Sequence, residues 1–394
     1  MPPRLHGHGD GDGHDHLLQF FIRETSTRLT GKGNSLDFHN PLQDEVPRLA
    51  QSDRLVMNAV LALAGIHMSY CAREPARKAD ALNHYVLAVG ELSSSISAWV
   101  EGSQWEEAQR LLLVTVLLTF YEVVGGNTTG AMSHHLRACR QFAFHIIYNH
   151  TNLETSGSPL IGLLLETYAY LELYSSLRFS PSEEDIRTNL SSFVSQLDCL
   201  RQFETFGVLF GSASMLFETI PSISLLALMR RRELREHTDL GCRAHYESLD
   251  AKLASSISSS AGSMSPFERT GTMVLQHTLW VFLETAFHYE TTNTHEFALM
   301  VEPHVEASLA LLQSMRDSPL LLTLYWPMIV LGANARTLAQ QNAIAGLLQN
   351  HTMEYVSRSL EMLGWIWNDP DPSTFGLPGL EKVAEERGTS LCIG

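Results

Sequence analysis

Arg54–Met68 (RLVMNAVLALAGIHM) carries apolar side chains on almost every helical face. A helix of that kind cannot lie at a surface; it needs other elements around its circumference. Asp53, directly before it, is an N-cap whose carboxylate can accept from the first unpaired backbone N–H groups. The chain must therefore build its fold around a central buried helix, and the flanking sequence is helical too. Leu82, Tyr85, Val89, Leu92, Ile96 and Trp99 recur at steps of three or four and read as one buried stripe. Met132, Leu136, Cys139, Phe142 and Ile146 repeat the pattern. Gly125-Gly126-Asn127 interrupts it and reads as a turn. Further helices are expected at about 159–178, 205–236, 272–289, 297–316, 320–347 and 350–367. Alternating strand-like runs with hairpin signals are absent, and no repeat of fixed period is found. The expected fold class is all-α, a multi-helix bundle or solenoid-like domain over residues 17–368.

The two ends differ from this body. Residues 1–16 (MPPRLHGHGDGDGHDH) are low-complexity Gly, His and Asp with almost no apolar content. Such a segment cannot offset its ordering entropy by burial and is expected to be a disordered tail. After Asn368 the sequence DPDPSTFGLPG is rich in helix breakers, so residues 369–394 are expected to form an extended tail. Ser255–Pro266 holds seven serines in twelve residues and reads as a flexible loop. It either divides two helical subdomains or lies within one continuous bundle.

Charge narrows the function classes. Forty-three acidic against 27 basic side chains give a net charge of −16, and only four of the 27 are lysines. Nonspecific nucleic-acid affinity comes mostly from neutralising phosphates, so autonomous DNA binding is not expected. Five scattered cysteines (Cys71, Cys139, Cys199, Cys242 and Cys392) are an odd number and read as free thiols in a reducing compartment. The N-terminus has no apolar signal segment. The longest apolar candidate, Leu320–Ala333, is interrupted by Thr323, Pro327 and Gly332 and is too short to cross a bilayer. A soluble intracellular protein with no membrane partner is expected.

Six phrases occur in a fixed order: Asp53–Met68, Leu82–Leu92 (LNHYVLAVGEL), Leu111–Glu122 (LLLVTVLLTFYE), His134–Ala138 (HHLRA), Tyr325–Ala333 (YWPMIVLGA) and Met362–Trp367 (MLGWIW). Together they resemble the fungal-specific transcription factor domain, the helical regulatory region that usually follows a Zn2Cys6 binuclear cluster. The likeness spans roughly residues 17–368. Asn334 departs from it, standing where an acidic residue often follows the Gly-Ala pair. The cluster itself needs six cysteines, including two Cys-x-x-Cys pairs. Here no two cysteines lie closer than 43 residues. Two explanations stay open: a paralogue that has lost DNA binding, or a gene model lacking an upstream cluster.

What the resemblance implies is a nuclear or nucleocytoplasmic regulator of a metabolic or secondary-metabolite gene set. Its partners would be the transcriptional machinery or related regulators, in a homo- or heterodimer, and a small-molecule effector. The alternative is a helical enzyme or carrier for a hydrophobic metabolite, suggested by the aromatic segments Phe203–Phe217 and Leu320–Trp326. Its ionisable candidates are His67, His84, His135 and Glu122, on first-half helices that could converge.

Each chemical candidate also has a bland reading. His6, His8, Asp10, Asp12, His14, Asp15 and His16 offer metal ligands, but a specific site needs them held in fixed geometry. His135, like His67 and His84, matches a packing position, a partly buried and hydrogen-bonded imidazole. Glu122, Glu166 and Glu172 adjoin apolar runs where a buried carboxylate can become a base, yet no second group completes a constellation. Gly31-Lys32-Gly33 lacks the remainder of a phosphate loop. Arg230-Arg231-Arg232 reads as a localisation signal or, with Glu233 and Glu236 interspersed, as a solvated helix face with local ion pairs. No catalytic, cofactor-binding or metal-ligating residue is assigned, and no cofactor is expected.

Overall fold

The computed structural model describes residues 10–30, 39–72, 75–99, 105–126, 131–150, 158–175, 199–256, 265–292, 294–316, 318–349, 353–371 and 374–389. Among these the regular structure is entirely helical, with no strand. The described residues up to Leu164 form one compact unit and those from Leu165 onward a second.

The first unit contains α1 (Asp10–Phe20), a π-helical turn (Phe21–Thr25), α2 (Ser26–Thr30), α3 (Pro41–Asp44), α4 (Val46–Ser52) and α5 (Arg54–Cys71). After these come α6 (Pro75–Ala98), α7 (Trp105–Gly125), α8 (Ala131–His150) and the first turns of α9 (Pro159–Ser175). The expected central helix is α5, buried from Leu55 to Ser69 at nearly every position and packed by α1, α4, α6 and α7. Asp53 caps it, accepting from the backbone N–H of Leu55 at 2.8 Å and of Val56 at 3.1 Å. The same carboxylate pairs with Arg110 of α7. Burial raises the Asp53 pKa, but Arg110 and the two backbone donors outweigh it and hold the carboxyl below its ordinary value. Asp53→Ala is expected to cost roughly 1–3 kcal/mol, a cap plus an ion pair, whereas Asp53→Asn keeps the cap and loses less. Urea midpoints of the two variants check the order.

α6 runs antiparallel to α5. Arg54 meets Glu91 at 3.2 Å, Asn58 bonds His84 at 3.0 Å, and Gly65 faces Ala81 so closely that an added Cβ would lie 3.0 Å from its methyl. That close approach corrects the expected stripe. Leu82 is 50% exposed, while Ala81 and Ala88 are fully buried. The small residues let the backbones near each other, a signal that counting bulky apolar positions misses. The α8 stripe from Met132 to Ile146 is buried throughout, as expected.

α5 and α7 also correct the membrane argument. Both are long and apolar enough to cross a membrane by length and composition, which Leu320–Ala333 is not. In each, 78% of the span is buried within the fold, the condition of a core helix. Thr115 and Thr119 of α7 return their hydroxyls to Leu111 and Thr115 carbonyls at 2.8 and 2.7 Å, so the helix presents apolar faces despite them.

The second unit continues α9 and adds α10 (Ser214–Phe217), α11 (Thr219–Glu236), α12 (Cys242–Ser255), α13 (Pro266–Phe287) and α14 (His295–Ser314). It ends with α15 (Tyr325–Ala333), α16 (Leu338–Leu348), α17 (Glu354–Trp367) and α18 (Gly376–Glu386). α13 is its buried centre, packed by α11, α12, α14 and α15. The helices on either side of the serine-rich stretch pack together: Gln276 of α13 donates to the Leu253 carbonyl of α12 at 2.6 Å. Ser265 at its end is the N-cap of α13, in a reciprocal capping box with Glu268. Residues 257–264 lie outside the described residues.

Four expected boundaries need revision. The span 320–347 is broken: a 3-10 turn (Pro319–Leu324) precedes α15, and Thr337 starts α16 in a second capping box with Gln340. The span 205–236 becomes helical only from Gly211, because Gly207 and Gly211 take φ of +94° and +55°. The expected extended tail 369–394 contains α18, which buries Leu377, Leu380 and Val383. Pro378 stands in its first turn, where no backbone N–H is required, so it permits the helix it was expected to forbid. At the other end, α1 begins at Asp10, seven residues before the expected boundary, extended by the buried Leu17 and Leu18. Residues 1–9 lie outside the described residues.

Candidate functional site

In the first unit α6, α7 and α8 bring four polar side chains together between apolar layers. Tyr85 of α6 bonds His135 Nε2 of α8 at 2.9 Å, and its ring stacks on Tyr121 of α7 at 4.3 Å between centroids. Glu122, beside Tyr121, is 2% exposed and stands 4.0 Å from His135 Nε2. Burial drives the His135 pKa down to about 4, with the charge of His134 adding to it, so the ring is neutral at pH 7. Burial and the hydrogen bond to Glu122 push the Tyr85 phenol up, so it stays protonated and can donate. A phenol has one proton. If Tyr85 gives it to Glu122, His135 must carry its own on Nε2 and donate to the Tyr85 oxygen. Glu122 Oε2 is buried without a hydrogen-bond partner.

His135 and Glu122 are thus brought together, with Tyr85 between them. At 4.0 Å they are too far apart to exchange a proton directly. Sequence reasoning gave Tyr85 only the role of bulk. The available signal was its hydroxyl on a half-buried stripe, since a buried Tyr oxygen must find a partner. The other two ionisable candidates go elsewhere. His67 is 2% exposed, bonds Thr25 Oγ1 at 2.9 Å and packs edge-on against Phe20 at 5.3 Å. Burial, aided by Arg28, lowers its pKa to about 4. His84 bonds Asn58 of α5 and meets the ring of His14 at 5.0 Å.

In the second unit Glu166 is fully buried and accepts four backbone N–H groups from Gly207 to Phe210. Oε1 takes three of these donors and Oε2 the fourth, so the carboxylate holds that loop. In the aromatic segments proposed for a hydrophobic metabolite most rings are core, although Phe206 is partly exposed. Phe203, Phe210, Phe217 and Trp326 are 2–6% exposed, with Phe210 against Phe217 at 5.0 Å and Phe282 against Trp326 at 6.0 Å. The arginine run is engaged locally. Arg230 pairs with Glu233 and covers Phe287, Arg232 pairs with Glu236 at 3.1 Å, and Arg231 lies 4.2 Å over Tyr289. Cys71, Cys139, Cys199 and Cys242 are free thiols. Among the described residues no group of three or more His, Cys, Asp or Glu could hold a metal ion.

The late family-like phrases also meet each other. α15 is buried at all nine positions, and Trp367 of α17 donates its indole N–H to the Gly332 carbonyl at 2.9 Å. A Cβ on Gly332 would come within 2.7 Å of Leu363, so the glycine is what allows this approach. Asn334, the departure from the family pattern, is 4% exposed and bonds back to the Val330 carbonyl at 2.8 Å. The family-like segments are therefore the packing contacts of two helical cores. No curated protein and no solved structure matches the chain. A family model does, over residues 16–392, beyond the 17–368 expected and through α18. The chain belongs to the fungal specific transcription factor domain family.

Proposed function

We propose that the chain is the regulatory body of a nuclear transcription regulator, acting through contacts with related regulators or the transcriptional machinery and modulated by a small-molecule effector. The observation that carries this is the family match across residues 16–392. The net charge of −16 agrees with it, leaving phosphate contact to another segment or another protein. Grooves between packed helices are the natural places for effector and partner contacts. A metabolic or secondary-metabolite gene set is the pathway we favour. The enzyme-or-carrier reading has less support, because most rings of the aromatic segments it rests on are buried and His135 is bonded to Tyr85.

Fusion of the full chain to an unrelated DNA-binding domain tests this on a reporter gene. The expected result is a change in transcription, up or down, that depends on added metabolites. A reporter indifferent to the fusion, with and without metabolites, would count against the proposal. A fluorescent fusion excluded from nuclei would remove the localisation from it.

A further inference from the structure

Two imidazoles meet where α12, α13 and α14 come together. His277 of α13 and His304 of α14 approach through their Nδ1 atoms at 3.0 Å, with ring centroids 5.3 Å apart. Trp280, one turn after His277, lies against both rings, at 5.6 Å from His277 and 5.0 Å from His304. Its indole N–H is tied to Asp250 Oδ1 of α12 at 2.9 Å. Both imidazoles are partly exposed, so the pair is reachable from solvent.

We infer that His277 and His304 form a two-imidazole binding site for a divalent transition metal, Cu(II) first and Ni(II) next, clamping α13 to α14. Geometry sets the preference. Metal–imidazole bonds of about 2.05 Å closing on the observed 3.0 Å separation subtend about 94° at the metal. That is near the right angle of tetragonal Cu(II) and Ni(II); a tetrahedral zinc ion would need the nitrogens farther apart. Each ring must turn its Nδ1 lone pair off the line to its neighbour, and one proton must move from Nδ1 to Nε2, a tautomer a neutral imidazole can adopt. The Asp250 carboxylate, held beside the pair by the Trp280 indole, favours a cation there. With two protein ligands the remaining positions belong to water, so the site is open and exchangeable.

The competing imidazoles of the N-terminal tract must be silenced first. The full chain with His6, His8, His14 and His16 changed to Asn is titrated with copper sulfate, nickel chloride or zinc sulfate at pH 7.5. Calorimetry should show one copper ion per chain, weaker nickel and weakest zinc. Cu(II) is a paramagnetic quencher, so tryptophan emission should fall in step with occupancy. His277→Gln or His304→Gln in that background should weaken copper binding roughly tenfold or more, the scale that even outer-layer changes reach. Trp280→Phe should keep the copper stoichiometry and lose most of the quenching, a readout that a purely structural role would not move. Copper binding unchanged in the His277→Gln, His304→Gln double variant, its helical circular dichroism intact, would overturn the proposal. So would a parent chain that binds none.

Discussion

Glu166→Leu is expected to destabilise the second unit by roughly 3–5 kcal/mol, the scale for removing one side of a buried charged contact. The carboxylate is fully buried. Oε1 accepts from Gly207 at 3.1 Å, Leu209 at 2.9 Å and Phe210 at 3.0 Å, and Oε2 accepts from Val208 at 3.3 Å. Four backbone donors turned toward one point require an unusual loop, and Gly207 and Gly211 with positive φ supply it. Leucine would leave all four donors without an acceptor in an apolar setting. The loop would open to water or refold, withdrawing Phe210 from its place against Phe217 and Tyr170. Glu166→Gln keeps one acceptor oxygen but turns an amide N–H2 toward the donors, so it should fall between wild type and leucine. Urea unfolding monitored by near-ultraviolet circular dichroism checks this ranking. A leucine variant within about 1 kcal/mol of wild type would mean the cradle contributes little.

Glu166 also marks the boundary of what the sequence could say. Its apolar neighbours announced burial, but the four donors come from residues about 40 positions away, and no local pattern encodes that closure. The Gly207 and Gly211 breaks inside the expected helix 205–236 were its only trace. By contrast, α5 was legible in full because its periodicity, its Asp53 cap and its all-round apolar surface agree. The α8 stripe was legible for the same reason. The α6 face was misjudged because Gly65, Ala81 and Ala88 pack by being small, which a count of bulky residues treats as neutral. α18 was missed because Pro378 was weighed as a breaker without regard to position. At the candidate site, His67, His84, His135 and Glu122 were named because their helices could converge; the structure joins His135 with Glu122 and places the other two elsewhere. Tyr85 was missed because its ring accounted for its position and its hydroxyl was left unassigned.

Stability should fall as pH drops from about 6.5 toward 4, driven first by His67 and His135. Each is nearly excluded from solvent, and burial holds each pKa at about 4, below the ordinary 6.5 of an imidazole. Between those values the unfolded chain binds a proton at each position and the folded chain does not, so acid favours unfolding. Two such groups give a slope of about 2.7 kcal/mol per pH unit within the window, and a loss of roughly 3 kcal/mol each across it. For a domain with ordinary marginal stability that is a large share of the total. His84, His277, His288 and His304 are also lowered, chiefly by burial, and push in the same direction. Glu166 and Glu284 oppose them, since burial raises their carboxyls and the folded form then gains a proton more readily. Denaturant titrations at half-unit pH steps should therefore show falling midpoints from pH 6.5 downward. His67→Gln and His135→Gln should each start less stable at pH 7, having lost the Thr25 or Tyr85 bond geometry, and each should show a shallower slope by about one proton. A wild-type profile flat between pH 7 and 5 would show that these two rings already accept protons in the folded chain, against their burial in the α1–α5 and α6–α8 contacts.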